Sequence, residues 1–229
     1  VIDGTGCKIL LALKAFAMSK TFPMIRKTLH GTCASSLHEA ILGRKEFGKE
    51  VHVYGAAYSD ADFKKILKYA DHIDFNSFWQ WEHFKPYAMQ AKSRKKIGFG
   101  LRVNPEHSEG TIPIYDPSGP FSRLGIIRKN FNPEQLEGIS YLHFHTLCQQ
   151  NVLPLIRTLA VFEEKFGEFL PQMEFVNFGG GHHITNPNYD IQTLINVIND
   201  FVTLGDELSE MILLNASEFL FLIKSCAFD

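Results

Sequence analysis

The sequence predicts an α/β fold, a (β/α)8 barrel of the TIM type, and three observations carry that prediction. Eight short apolar, β-branched runs recur along 229 residues, with longer amphipathic stretches between them. At 45% hydrophobic residues, the chain can bury one large core, so a single barrel accounts for its length. Residues able to do chemistry gather just after the apolar runs, where a parallel barrel places its active site. An open doubly wound sheet is the structural alternative.

The runs read as strands in order: Lys8 to Leu13, His30 to Ala34, Val51 to Tyr54, His72 to Phe75 and Ile97 to Val103, then Ile139 to Phe144, Glu174 to Phe178 and Met211 to Leu214. Ser36 can cap a helix running to about Phe47, with Glu39 at the capping-box position. Asp60 is expected to cap Ala61 to Tyr69, and Ser77 a helix through Gln90 that Pro86 would kink. Asn151 to Phe166 and Ile191 to Val202 complete the helices. Asn104 to Asn132 is unpatterned and rich in Pro, Gly and Ser, which suits a lid or binding loop.

Composition excludes several classes. The net charge is −2, and the one basic cluster, Lys92, Arg94, Lys95 and Lys96, reads as a solvated helix end, so no nucleic acid is expected. Cys7, Cys33, Cys148 and Cys226 form no CxxC pair, which argues against a zinc ribbon or disulfide framework and for a reducing cytoplasm. No apolar run is long enough to span a bilayer, so no membrane association is expected; Met211 to Ile223 comes closest. The chain opens on Val1-Ile2-Asp3-Gly4 without an initiator Met or signal peptide, as a fragment would.

The strand ends present Lys14, Ser35-Ser36, Arg102, His143, His145 and Gly179-Gly180-Gly181-His182-His183. A lysine ending a buried strand is partly desolvated, which favours its free amine and Schiff-base chemistry. Taken alone, the pattern around Lys14 favours a strand-end lysine snorkelling into solvent. Three glycines after a strand suit backbone N–H groups approaching a phosphate, against the alternative of a tight turn. His143 and His145 share one strand face at a metal-ligand spacing, so a metal-dependent hydrolase competes, though no Asp or Glu flanks either histidine pair. His143 otherwise reads as a core histidine bonded to backbone. Arg102 suits a phenolate, a phosphate or a structural salt bridge.

Several of these stretches together resemble carboxynorspermidine/carboxyspermidine decarboxylases, within the alanine-racemase-fold, ornithine/diaminopimelate-type decarboxylases. The matching stretches include Thr5 to Lys14, Ala34 to Ala40, Phe75 to Phe78, Leu101 to Pro105 and Ser122 to Gly125. The most specific are Leu142-His143-Phe144-His145-Thr146-Leu147-Cys148 and Val176 to Thr185. The resemblance runs from about residue 4 to about 202. It implies pyridoxal 5'-phosphate as cofactor, Lys14 as the catalytic residue bearing it, His145 stacked on its ring, Arg102 near it and Gly179, Gly180 and Gly181 around its phosphate. It implies no metal at His143, His145, His182 or His183. The implied reaction is decarboxylation of carboxynorspermidine or carboxyspermidine in polyamine biosynthesis, by a homodimer when full length.

The sequence also departs from that pattern. Tyr115 to Ser122 replaces a YDPCAPGS-like loop, and Gln149 stands where Glu is frequent. Asn215 aligns with the acid that binds the pyridine nitrogen. The resemblance therefore implies a cofactor-binding barrel at 1–204 and a divergent last strand and helix at 205–229, without the family's C-terminal β-domain. The expected behaviour is cofactor uptake with impaired turnover. The alternative is a non-catalytic homologue of the barrel acting as a binding or pairing partner.

Overall fold

The computed structural model describes residues 1–110, 112–204 and 212–216. Of the residues singled out above, Met211, Ile223 and Cys226 lie outside the described residues. The strands are β1 (Lys8–Ala12), β2 (Gly31–Ala34), β3 (Glu50–Tyr54), β4 (His72–Phe75), β5 (Gly98–Asn104), β6 (Ile126–Ile127), β7 (Tyr141–His143), β8 (Phe175–Gly180) and β9 (Ile212–Ala216). All pair in parallel, and β9 returns to β1, so the sheet closes into a barrel with two-residue β6 attached to the end of β5. The ring thus has eight members, and its last strand comes from the 205–229 segment.

Parallel strands need crossovers. These are α2 (Phe22–Ile25), α3 (Leu37–Leu42), α4 (Asp60–Tyr69), α5 (Phe78–Lys92), α6 (Val152–Phe166) and α7 (Ile191–Leu204), with α1 (Ile2–Thr5) ahead of β1. The β5-to-β7 connection carries short 3-10 turns and β6 instead of an α-helix. That departs from strict alternation at the stretch whose composition resists a helix.

Local chemistry explains the helix starts. Ser36 and Ser77 sit in extended backbone and accept from the amides of Glu39 and Gln80, at 3.3 and 3.1 Å. Glu39 reaches back to the amide of Ser35, one residue earlier than a capping box places it. The cap of α4 is Ser59, not Asp60: Ser59 holds the extended conformation and accepts from the Asp62 amide, while Asp60 becomes the first helical residue. Pro86 lies on the exposed side of α5, where water can satisfy the carbonyl it leaves unpaired. Along α6, Val152, Leu155, Leu159, Phe162 and Phe166 are buried at helical spacing. Each such side chain contributes about 1.5–3 kcal/mol on burial.

Inside the barrel, Leu10, Tyr141 and Phe175 form a separate plug, with the Tyr141 and Phe175 rings 4.3 Å apart and nearly parallel. Glycine at position 100 makes this possible, since a Cβ there would sit 2.2 Å from the Tyr141 ring. The plug divides the interior into a mouth, at the C-terminal strand ends, and a floor. Among the described residues no helix is long and apolar enough to cross a membrane.

Candidate active site at the barrel mouth

Lys14, Arg102, His145 and Gly179 to Gly181 all lie at or just beyond C-terminal strand ends, so parallel pairing brings them to one mouth. Lys14 stands two residues past β1, in a turn closed by the Ala15 and Phe16 amides on the Ala12 carbonyl. It is exposed rather than partly desolvated, because the turn lifts it clear of the buried strand.

Arg102 is buried near the end of β5, at 5% exposure, in register with His143. Its guanidinium donates to the His145 carbonyl at 3.2 Å and lies over the Tyr54 ring at 4.8 Å. Among the described residues no carboxylate pairs with it, so the salt-bridge alternative finds no partner there. Its Nε is buried without a partner.

His145 accepts from the Gly180 amide through Nδ1 at 3.0 Å, which puts the ring proton on Nε2. Burial, then the Arg102 charge and neighbouring His143, hold its pKa well below the ordinary histidine value, so the ring is neutral. Gly179 and Gly181 have φ of +70 and +91. A Cβ at 179 would lie 2.6 Å from His145 Nδ1, and one at 181 would lie 2.1 Å from the Leu147 carbonyl oxygen. The glycines therefore let β8 press against residues 144–148. The amides of Gly179 and Gly180 are committed to Asn177 Oδ1 and His145, not free for an anion as their sequence suggests.

His143 is not bonded to backbone. It is buried, with Nδ1 3.1 Å from Asp74 Oδ2, and its ring meets Tyr54 edge to face. That contact lacks hydrogen-bond angles, so both ring nitrogens and Asp74 Oδ1 find no hydrogen-bond partner among the described residues. An acid does accompany a histidine here, although none flanks it in sequence. Asp74 comes from β4 and His143 from β7, so the two meet across the intervening β5. Along β4 the polar His72 and Asp74 alternate with the apolar Ile73 and Phe75, and that alternation in the sequence is the signal available in advance. Thr146 Oγ1 and His182 Nε2 are likewise buried and unpartnered, while His182 Nδ1 meets the Tyr189 hydroxyl at 2.8 Å.

Asn76, also missed, organises the rim. Its side-chain oxygen accepts from the Tyr54 hydroxyl and the Gly125 amide, and its nitrogen donates to the Arg123 carbonyl, each at 2.8 Å. It thus ties Ser122 to Gly125 to the end of β4. The backbone of position 215 lies in register with both Leu10 and Gly180, beside the glycine loop.

No family model matches the chain. Two curated relatives are each 41% identical. They are the carboxynorspermidine/carboxyspermidine decarboxylase of Campylobacter jejuni, over 199 residues, and the carboxyaminopropylagmatine decarboxylase of a Synechocystis species, over 194. The matches cover 87% and 85% of this chain and 50% and 49% of theirs, so the chain spans about half the length of the curated relatives it matches. The crystal structure of the Campylobacter jejuni carboxynorspermidine decarboxylase with norspermidine superposes with a TM-score of 0.82 at 38% identity, over 94% of this chain and 54% of that one. The diaminopimelate decarboxylase of Helicobacter pylori with L-lysine shares the fold, with a TM-score of 0.72 at 19% identity over 92% and 57% of the two chains. The chain is therefore a homologue, over about half their length, of the carboxynorspermidine/carboxyspermidine decarboxylases, and has the barrel they share with diaminopimelate decarboxylases.

Proposed function

We propose that this chain is the cofactor-bearing barrel of a pyridoxal-phosphate-dependent decarboxylase acting on carboxynorspermidine or carboxyspermidine. The observation that carries the reading is 41% identity across 87% of the chain to an enzyme of that description. The mouth fits such a group. It offers an exposed amine at Lys14 and buried, unpartnered polar atoms on Arg102, His143, Thr146 and His182. Buried polar atoms are seldom left without partners, so such a concentration suits a polar ligand.

Lys14 would hold the group covalently, as the one site lysine on a strand-end turn. Neutral His145 would present a flat ring to it, held by the Gly180 amide on one edge and, through its carbonyl, by Arg102. The glycine loop would bring backbone close to the phosphate end. When bound, the group supplies the electron sink for the pair left behind as CO₂ departs. The neutral residue Asn215 stands where a carboxylate is expected, and a neutral side chain secures a positive ring nitrogen less well. We therefore expect Lys14-dependent binding with weak turnover, since one missing preorganised electrostatic partner costs about 10²–10³ in rate. A cytoplasmic homodimer suits this reading.

A second reading is decarboxylation of carboxyaminopropylagmatine, favoured by an equal identity to the Synechocystis enzyme. The test is CO₂ release from each of the three carboxylated polyamines, by the chain and by Asn215→Glu. Slow release that the variant raises supports the proposal, and the preferred substrate separates the two readings. No release from any substrate by either protein, despite cofactor binding, favours the non-catalytic alternative.

A further inference from the structure

The floor of the barrel, at the end opposite Lys14, carries a polar cluster that the decarboxylase reading does not use. Glu50 and His52 alternate on β3 and so share one face, while His72 opens β4 in register with His52. A carboxylate oxygen and one nitrogen from each imidazole lie within 4.8 Å of one another. Glu50 Oε2 already meets His52 Nε2 at 3.2 Å. The His52 side chain is 3% exposed, and the Nδ1 atoms of both His52 and His72 are buried without a hydrogen-bond partner among the described residues. Unpaired nitrogens on two neighbouring rings are an unmet demand for a ligand. Gly98 widens the chamber, since a Cβ there would stand 2.5 Å from His72 Nδ1.

We propose that Glu50, His52 and His72 form a structural site for a borderline-soft divalent cation of the zinc class. Two imidazoles and a carboxylate suit such an ion. Bond lengths of about 2.0–2.2 Å place the donors of one ion roughly 3.5 Å apart, so the cluster must contract by about an ångström. Burial and the neighbouring His52 press the His72 pKa down to about 2, which keeps its lone pair available at neutral pH.

Two features resist the ion and sharpen the proposal. The His52 and His72 rings are stacked at 4.2 Å and 17°, so one must tilt to aim at a shared ion. The Lys8 ammonium lies 2.5 Å from Glu50 Oε1, so it competes with the cation for the charge of the same carboxylate. Lys8 is a quarter exposed and can swing into solvent. Cation and ammonium therefore repel each other across one carboxylate, and removing the ammonium must tighten binding.

The test does not depend on the reading of the mouth. The full chain is stripped with a chelator and titrated with zinc chloride against a chromophoric competitor. The expected result is about one zinc per chain, weakened roughly tenfold or more by His72→Ala or Glu50→Gln and tightened by Lys8→Met. Circular dichroism separates lost binding from lost folding, and the gain in Lys8→Met cannot arise from misfolding. Visible ligand-field bands from cobalt(II) on the unmodified chain, absent in His72→Ala, support the same site. Absence of stoichiometric zinc on the unmodified chain overturns the proposal, whatever Lys8→Met does. So does zinc affinity unchanged in both His72→Ala and Glu50→Gln.

Discussion

The mouth and the floor of this barrel are both polar, but they are polar in different ways. At the floor, Glu50 is flanked by Lys8 and His52, and the formal charges nearly balance within the chain. Burial pushes the Glu50 carboxyl up, but hydrogen bonds from His52 and Lys8 outweigh it and hold its pKa down at about 2. At the mouth, Arg102 has no carboxylate among the described residues, and the nearby Asp74 faces His143 without a hydrogen bond. Between them lies the Tyr141 and Phe175 plug, whose rings contact His72 from above. A barrel that balances one end internally and leaves the other with unpaired donors is built to take a polar ligand at the second end. The floor's unmet needs are narrower: two ring nitrogens and the Ser140 hydroxyl beside Gly98, which suit an ion rather than a molecule.

The largest effect that could break this contrast concerns the mouth's backbone. Gly181→Ala forces a side chain onto a residue at φ +91, 2.1 Å from the Leu147 carbonyl. Strain and overpacking together should cost roughly 3 kcal/mol, read as a lower urea midpoint with an unchanged slope. A loss under about 0.5 kcal/mol would show that β8 does not press on residues 144–148 as described.

Acid should act on both ends, but over different ranges. The pKa of His182 at the mouth is lowered to about 4 and that of His72 at the floor to about 2, in both cases chiefly by burial. Each ring is neutral in the folded state, while the unfolded state takes up a proton below about pH 6.5. The unfolded state then binds more protons, so stability falls as pH drops, by roughly 1 kcal/mol per unit for each ring. For His182 the fall ends near pH 4, whereas for His72 it continues toward pH 2. Urea unfolding between pH 7 and pH 3 in the presence of a chelator checks this. His182→Gln should flatten the upper part alone, and His72→Gln the whole range.

A smaller effect is expected at the rim. Asn76→Ala removes three side-chain hydrogen bonds, one from Tyr54 and two to the 123–125 backbone. The loss should be about 1–2 kcal/mol, with faster proteolysis after Arg123 or Arg128. Unchanged proteolysis would show that the loop is held by something else. The smallest change in stability is expected from Lys14→Ala, within about 0.5 kcal/mol, because the side chain is exposed and lies past the strand.

Much of this fold was legible in the sequence because each local signal agrees with the barrel. The eight apolar runs became the eight ring strands with ends displaced by at most two residues, and Ser36 and Ser77 cap as their chemistry suggests. Ser59 displaced Asp60 because neighbouring residues can both cap, and only the backbone conformation decides between them. The mouth was partly legible: strand-end position sufficed to gather Lys14, Arg102, His145 and the glycines. What spacing could not show is contact across the ring. Asp74 and His143 belong to strands separated by β5, and the use of the Gly179 and Gly180 amides depends on how closely β8 approaches His145. The Glu50, His52 and His72 cluster was not legible although Glu50 and His52 alternate on one strand, because its third member comes from the neighbouring strand and only their pairing brings it near.

The central claim is that the mouth holds pyridoxal phosphate on Lys14, and covalent mapping tests it most directly. The full chain is incubated with stoichiometric pyridoxal phosphate, reduced with borohydride, digested, and its peptides weighed. The account predicts one dominant modified lysine, Lys14, together with a visible absorbance band before reduction that Lys14→Ala abolishes. Label spread across surface lysines such as Lys20 and Lys92, with the band unchanged in Lys14→Ala, would contradict it.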